Sequence, residues 1–351
     1  MAREHSWAGI LGSLVDGQDL SIDEASWAMR SVMTGEATSA QLAGMLVAMR
    51  VKGETVDEIV GFRDAILEDA QPLAVDPMVL DIVGTGGDPH GAVLNISSIA
   101  SIIAAAVGVP VVKHGNRGAS SASGASDVLQ ALGLDLDIPP IRVAEVLVET
   151  GITYAHAALF HPGFRHAGPT RRELGISTVF NILGPLCNPA RPEASAVGVA
   201  SLERVPLVVG VFRTRGATAL VYRGDDGIDK LTTTGHSHIW EVSRGFVTEH
   251  DLDPRELGIE RADIQDLLGK DPEHNAGVAR RVLAGEPGPV RDVILLNAAA
   301  GLAAFALAQD PELQQEPIVD RLAAGMVQAA GAVDSGAAAK KLQEWVAATR
   351  R

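Results

Sequence analysis

Val79-Leu80-Asp81-Ile82-Val83-Gly84-Thr85-Gly86-Gly87-Asp88 decides the fold. A short apolar run bounded by a glycine cluster reads as a buried strand that feeds a loop. Downstream, the spacing predicts a helix to about residue 106, capped by Asn95 or Ser97. A strand over 109–113 follows, then helices near 126–132 and 142–149 and a strand near 152–155. Strands that alternate with helices imply a mostly parallel α/β sheet. Further strands are expected at 196–199 and 219–222, and short, antiparallel ones within 228–250. Upstream, the first seventy residues read as helices only. Ser21-x-x-Glu24 and Thr55-x-x-Glu58 form capping boxes, and Gly53 is a stop between them. From Pro272 onward the pattern is again helical. The expected architecture is α/β, with a small all-helical domain beside a larger α/β domain whose central sheet is mostly parallel. The expected boundaries are 1–72 for the helical domain, joined by helices of about 164–190, and 73–163 with 191–351 for the α/β domain.

Composition limits the function classes. Of 351 residues, 29 are Lys or Arg and 44 are Asp or Glu, a formal net charge of −15. Nucleic-acid partners are disfavoured, because their binding is driven by cationic side chains that replace phosphate counterions. A small anionic substrate is compatible, since a local donor cluster acts against the global charge. The one cysteine, Cys187, allows neither an internal disulfide nor a cysteine metal cluster, and a reducing cytoplasm fits. The N-terminus has no apolar signal region. Residues 92–112 carry no formal charge, but Ser, Asn, Gly and Pro within them favour a buried helix and strand over a membrane span.

Four stretches carry chemistry. The Gly84–Asp88 loop brings backbone N–H groups close to an anion, next to a helix N-terminus. An ordinary tight turn is the plainer reading, and the spacing matches neither the Rossmann nor the Walker fingerprint. Asn95-Ile96-Ser97-Ser98 either caps a helix or binds phosphate, with Ser97 a candidate oxygen ligand to Mg²⁺. Lys113-His114-Gly115-Asn116-Arg117-Gly118-Ala119-Ser120-Ser121 follows a strand and packs cations, amide, imidazole and hydroxyls together with two glycines. That mixture suits phosphate or pyrophosphate. Asp225-Asp226-Gly227-Ile228-Asp229 supplies carboxylates of the kind Mg²⁺ shares with phosphates, or an exposed turn.

In order along the chain, GTGGD (84–88), NISS (95–98), KHGNRGASSASGASDVLQALG (113–133), HPGFRH (161–166), RRELG (171–175) and TVFNILGPLCNPARP (178–192) resemble the anthranilate phosphoribosyltransferase family. The resemblance implies a nucleoside phosphorylase/phosphoribosyltransferase-like fold and transfer of the phosphoribosyl group of 5-phosphoribosyl 1-pyrophosphate (PRPP) to anthranilate, a step of tryptophan biosynthesis. It implies Mg²⁺ as the cofactor and a homodimer, with neither nucleic acid nor membrane as partner. PRPP would meet Gly84, Gly87, Asp88, Asn95, Ile96, Ser97, Ser98, the run from Lys113 to Ser121, and Ala125. Anthranilate would meet Gly84, Asn116 and Arg171, the last through its carboxylate. Ser97 and Asp229 would hold the metal.

Three positions depart from the family pattern. Lys230 stands where a second metal-binding acid, Glu, is usual. Either Lys230 contacts pyrophosphate directly, or Asp225 or Asp226 supplies the missing oxygen. The loop after GTGGD is one residue longer and lacks a threonine. Ala158 replaces a proline on the anthranilate route. These departures leave open a paralogue with another aromatic acceptor. Pyrimidine nucleoside phosphorylases share the architecture and form a further alternative.

Overall fold

A computed structural model describes residues 5–76, 78–91, 93–117 and 123–351. Four helices open the chain: α1 (Trp7–Val15), α2 (Ile22–Met33), α3 (Ser39–Lys52) and α4 (Val56–Asp69). Ser21 and Thr55 cap α2 and α4 as the sequence predicts, and Thr38 with Gln41 forms a third capping box at α3. Gly53 ends α3 with φ at +89°, a backbone angle that favours glycine. Glu58 is fully buried and ties these ends together. Its carboxylate accepts N–H bonds from Leu20 at 2.9 Å and Thr55 at 2.8 Å and pairs with Lys52 at 3.2 Å.

The α/β part runs β1 (Leu80–Gly84), α5 (Ile96–Val107), β2 (Val111–Gly115), α6 (Ala125–Leu132), α7 (Pro140–Thr150) and β3 (Ile152–His156). A helical crossing follows with α8 (Ala157–Phe160), α9 (Phe164–Leu174) and α10 (Phe180–Leu183). The chain returns as β4 (Ala194–Gly198), α11 (Val205–Arg215), β5 (Thr218–Gly224), β6 (Ser237–Ser243) and β7 (Phe246–Leu252). It closes with α12 (Pro272–Leu283), α13 (Pro289–Gln309), α14 (Ile318–Asp334) and α15 (Ala337–Thr349). The strand order is β3-β2-β1-β4-β5-β6-β7. Strands β1 to β5 pair in parallel, and β6 and β7 add antiparallel. The chain therefore leaves β1 towards one side of the sheet and resumes at β4 on the other. Ligands of open α/β sheets bind at such a switch point, outside the carboxyl ends of the strands.

Alternation along the strands splits the core in two. Leu80 and Ile82 pack with α5, α13 and α14, while Val83, Val197 and Val221 join a cluster that continues through α11 into Met45 and Leu46 of the helical part. Helix α5 is almost wholly buried, in line with the expectation for residues 92–112. Helix α13 is long and apolar enough to cross a membrane, yet 78% of its apolar window is buried inside the protein.

Two local expectations fail. Asn95 precedes α5 but makes no side-chain cap bond. Its amide is engaged elsewhere, donating to the Ser123 carbonyl at 3.0 Å and accepting from Asn275 at 3.0 Å. Strand structure is also absent from residues 228–236. There Asp226 Oδ2 accepts the hydroxyls of Thr232 at 2.7 Å and Thr234 at 2.6 Å, so a side chain organises the segment locally instead of a ladder.

The crossing of α8 to α10 packs on α2 and α3 through α9 and is fastened to the sheet by two imidazoles. His114 Nδ1 donates to the Gly184 carbonyl at 3.0 Å, and His161 Nε2 donates to the Cys187 carbonyl at 2.8 Å. The two rings meet edge to face at 5.2 Å. Burial, first of all, pushes their pKa values down, to about 3 for His114 and about 4 for His161. Unfolded histidines titrate near 6.5, so below that pH the unfolded chain takes up protons that the native one refuses. Stability is thus full above pH ~6.5 and falls as pH drops towards the native values, by up to about 1.4 kcal/mol per pH unit for each group. His161→Gln keeps an Nε donor for Cys187 and removes one titration. Its urea midpoint should fall less steeply between pH 7 and 5 than that of the native protein, measured at constant ionic strength.

Glycines also set the sheet's carboxyl edge. Gly84 and Gly198 face each other across β1 and β4, and a Cβ on Gly198 would collide with the Asp229 backbone carbonyl. Gly198→Ala should therefore cost about 3 kcal/mol in urea unfolding, because the obstacle is backbone that cannot rotate away.

Candidate active site

The motifs read from the sequence gather at the carboxyl edge. Gly84 ends β1, Lys113 and His114 lie near the carboxyl end of β2, and the 225–230 segment follows β5. Gly86 and Gly87 have φ of +68° and +78°, so the loop needs glycine at both. Asp88 Oδ1 accepts the N–H groups of His90 at 3.0 Å and Gly91 at 2.9 Å, which shapes the loop from within. The lengthened loop docks on the 224–228 turn. His90 Nε2 donates to the Asp226 carbonyl at 3.0 Å, and a side chain on Gly227 would meet Pro89.

Two lysines define the floor. Lys113 is 1% exposed, and its Nζ donates to the Ile82 carbonyl at 2.6 Å and to Ser97 Oγ at 3.3 Å. Burial pushes its pKa down to about 8, and Asp81 opposes that shift. Asp81 is pushed up to about 6, chiefly by burial, against the pull of Lys113 and of the Asn188 amide. Asn188 Nδ2 donates to Asp81 Oδ2 at 2.9 Å and to the Val112 carbonyl at 2.8 Å, so it links β1, β2 and the crossing. Lys230 is 7% exposed and forms an ion pair with Asp229 Oδ1, and its Nζ also donates to the Asp229 carbonyl at 2.9 Å. Asp229 Oδ2 accepts the Gly86 N–H at 2.7 Å. This pair lies on Gly84, where any Cβ would strike the Asp229 carboxylate.

The sequence-derived residues separate into groups. Gly84, Gly87, Ser97, Lys113, Gly115, Asn116 and Arg117 sit at this edge, with Asn116 and Arg117 exposed. Ala125 opens α6 and packs over Gly115. Gly118, Ala119, Ser120 and Ser121 lie outside the described residues. Ile96 belongs to the core with no exposure, and its N–H is taken by the Leu94 carbonyl at 2.7 Å, so it offers a ligand nothing. Ser98 is buried, and its Oγ has no partner among the described residues. His114 is turned to the Gly184 carbonyl, and Asn95 braces Ser123 and Asn275; both support the site from behind. Sequence reasoning missed Asp81 and Asn188, although an acid inside an apolar strand run was the available signal for Asp81.

Arg171 is half-buried, and burial lowers its pKa. Its guanidinium lies over the Phe180 ring at 4.9 Å and has no ion pair among the described residues. Phe180 stacks edge-on with Phe164 at 6.0 Å, and Phe164 meets His161 at 5.3 Å. With His114 these rings form a line from the end of β2 to Arg171.

The residues expected to hold Mg²⁺ do not fit a metal held by the protein. Both Asp229 oxygens have N–H partners, one of them an ammonium, and the Ser97 hydroxyl meets the other ammonium. Asp226 does not make up the difference, because its carboxylate is committed to Thr232, Thr234 and the Ile228 N–H. Asp225 is exposed, and no group of three His, Cys, Asp or Glu suited to a metal occurs among the described residues. A groove of about 840 Å³ beside Val79 and Pro110 opens at the opposite edge of the sheet, away from these groups.

Comparison with known proteins agrees with this layout. Residues 8–70 match the helical bundle domain of a glycosyl transferase family, and residues 76–339 match its a/b domain. The chain is 76% identical over its whole length, and the relative's, to an anthranilate phosphoribosyltransferase of Clavibacter michiganensis. It is 67% identical, again over both full lengths, to that of Leifsonia xyli. The crystal structure of the Thermus thermophilus anthranilate phosphoribosyltransferase superimposes with a TM-score of 0.88 at 40% identity, covering 97% of this chain and 99% of that one. The Saccharomyces cerevisiae protein, solved with PRPP and Mg, shares the fold at a TM-score of 0.87 and 24% identity, with 98% of each chain covered. A helical bundle beside a mostly parallel α/β sheet, matched end to end by close relatives, places this chain in the anthranilate phosphoribosyltransferase family.

Proposed function

We propose that this chain transfers the 5-phosphoribosyl group of PRPP to the amine of anthranilate and releases pyrophosphate. The observation that carries the reading is the pair of buried ammonium groups, Lys113 and Lys230, beside the Ser97 hydroxyl and the glycine loop at the switch point of the sheet. As the ribose C1–O bond breaks, positive charge spreads over the sugar ring and negative charge collects on pyrophosphate. Preorganised cations and backbone N–H groups in a water-poor site stabilise that charge most where it develops. The anthranilate nitrogen forms the new bond to C1 and then gives up one proton to water. No covalent intermediate with the protein is needed. Mg²⁺ belongs to this reading as the companion of PRPP.

Arg171 is the residue for the anthranilate carboxylate, since its planar donors match a carboxylate and stacking on Phe180 fixes its plane. Closure of the helical part over the sheet would align the two substrates and shut out the water that hydrolyses PRPP. A homodimer through the helical part goes with the reading. Val47 and Val51 on α3 are 40% and 83% exposed and available for such a contact. A reducing cytoplasm suits the single, buried thiol of Cys187.

A steady-state assay with PRPP, Mg²⁺ and anthranilate tests the proposal, with loss of anthranilate fluorescence expected. Fluorescence that stays constant at high enzyme concentration, with PRPP consumed on another aromatic acid, would move the assignment to a paralogous transferase. Phosphorolysis of thymidine would move it to the nucleoside phosphorylases. Arg171→Gln should raise the KM for anthranilate by roughly tenfold to a hundredfold, as expected for a lost charged hydrogen bond, with the KM for PRPP little changed.

A further inference from the structure

Lys113 and Lys230 share an unusual arrangement. Both are at least nine-tenths buried, and both ammonium groups are held by oxygens of the protein. An ammonium has three N–H donors. Lys113 Nζ uses two of its donors, on the Ile82 carbonyl and the Ser97 hydroxyl. Lys230 Nζ likewise uses two, on the carboxylate and the main-chain carbonyl of Asp229. Among the described residues, each keeps one donor without a protein acceptor. Asp229 carries one negative charge, which pairs with Lys230, and its second oxygen accepts the Gly86 N–H. Asp81 is the further carboxylate that acts on Lys113, and its oxygens accept from Asn188 and the His114 N–H. The floor of the site thus offers two N–H donors on buried ammonium groups, next to a glycine loop. A metal ion at Asp229 would have to expel Lys230 from the carboxylate and then sit beside two ammonium groups in a medium that screens poorly.

We infer that Asp229 and Lys230 form an ammonium site in place of a protein-held metal site: Lys230 Nζ, fixed by Asp229, contacts the diphosphate of PRPP directly alongside Lys113. Mg²⁺ enters the site only on the diphosphate. Asp229 then acts as a positioning residue for Lys230 and is not a metal ligand. This rests on the proposed use of PRPP, and the test separates the two claims.

Mn²⁺ binding to the full-length protein without PRPP, read by loss of the free-ion electron paramagnetic resonance signal, examines the metal. PRPP binding, read by calorimetry with Mg²⁺ present, examines the diphosphate contact. Wild-type protein should leave the Mn²⁺ signal unchanged, whereas Lys230→Glu should take up one ion per chain. Lys230→Gln, nearly the same length and uncharged, should weaken PRPP binding by roughly tenfold or more, in keeping with the loss of a buried charge-assisted contact. Stoichiometric Mn²⁺ uptake by the wild type that Asp229→Asn abolishes would overturn the inference. So would PRPP affinity in folded Lys230→Gln that stays within about twofold of wild type, since charged contacts of this kind are worth more. Should Lys230→Glu fail to fold, the wild-type and Lys230→Gln measurements still decide. Wild-type protein that binds no PRPP would overturn the proposed function, while Mn²⁺ uptake would still judge the metal claim.

Discussion

Asp229 can lie across the ends of β1 and β4 only because both strands end in glycine. Gly84 and Gly198 are register partners, and a methyl group on either would occupy the space of the Asp229 carboxylate or its main chain. The rest of the site depends on that close approach. It lets Asp229 accept the Gly86 N–H and set the entry of the glycine loop. It also lets Asp229 hold Lys230 inside the cleft, where an unpaired ammonium would be costly to bury. A segment distant in sequence, following β5, is thereby joined to the loop that follows β1.

Charge is distributed against the bulk composition. The chain has fifteen more acids than bases, yet its carboxyl edge concentrates Lys113, Lys230 and Arg117, with Arg171 on the adjoining helical crossing. Buried cations of this kind are stable because each has oxygens from the main chain or a single carboxylate, and each remains able to accept an anion. Acidic exterior and basic cleft need not conflict, since screening over a Debye length separates exposed charges from those in a narrow site.

The helical crossing links the carboxyl edge of the sheet to Arg171. His114 belongs to β2 but bonds to Gly184, and His161 belongs to the crossing but bonds to Cys187 beyond α10. Rings then run from these imidazoles through Phe164 to Phe180, under the Arg171 guanidinium. Neutral, buried imidazoles make this a packing element as well as a polar one.

Much was legible in the sequence because it is written locally. The 79–88 run, the alternation of strands with helices and the capping boxes at Ser21 and Thr55 depend on neighbours within a few residues, and they specified an α/β sheet with a helical part. The motifs also named the loops of the site, since a glycine loop after a strand falls at the carboxyl edge of any parallel sheet. Tertiary structure alone decided which polar groups are spent on partners within the protein. Asn95 looked like a cap or phosphate group and proved to be a brace for Ser123 and Asn275, while Asp226 was spent on two threonines. It alone placed Lys230 on Asp229 and Gly84, and Asn188 on Asp81. The physical reason is that a side chain's free donors are those left after its partners are counted. For Asp81 and Asn188 those partners are 107 residues apart, and for Gly86 and Asp229 they are 143 apart.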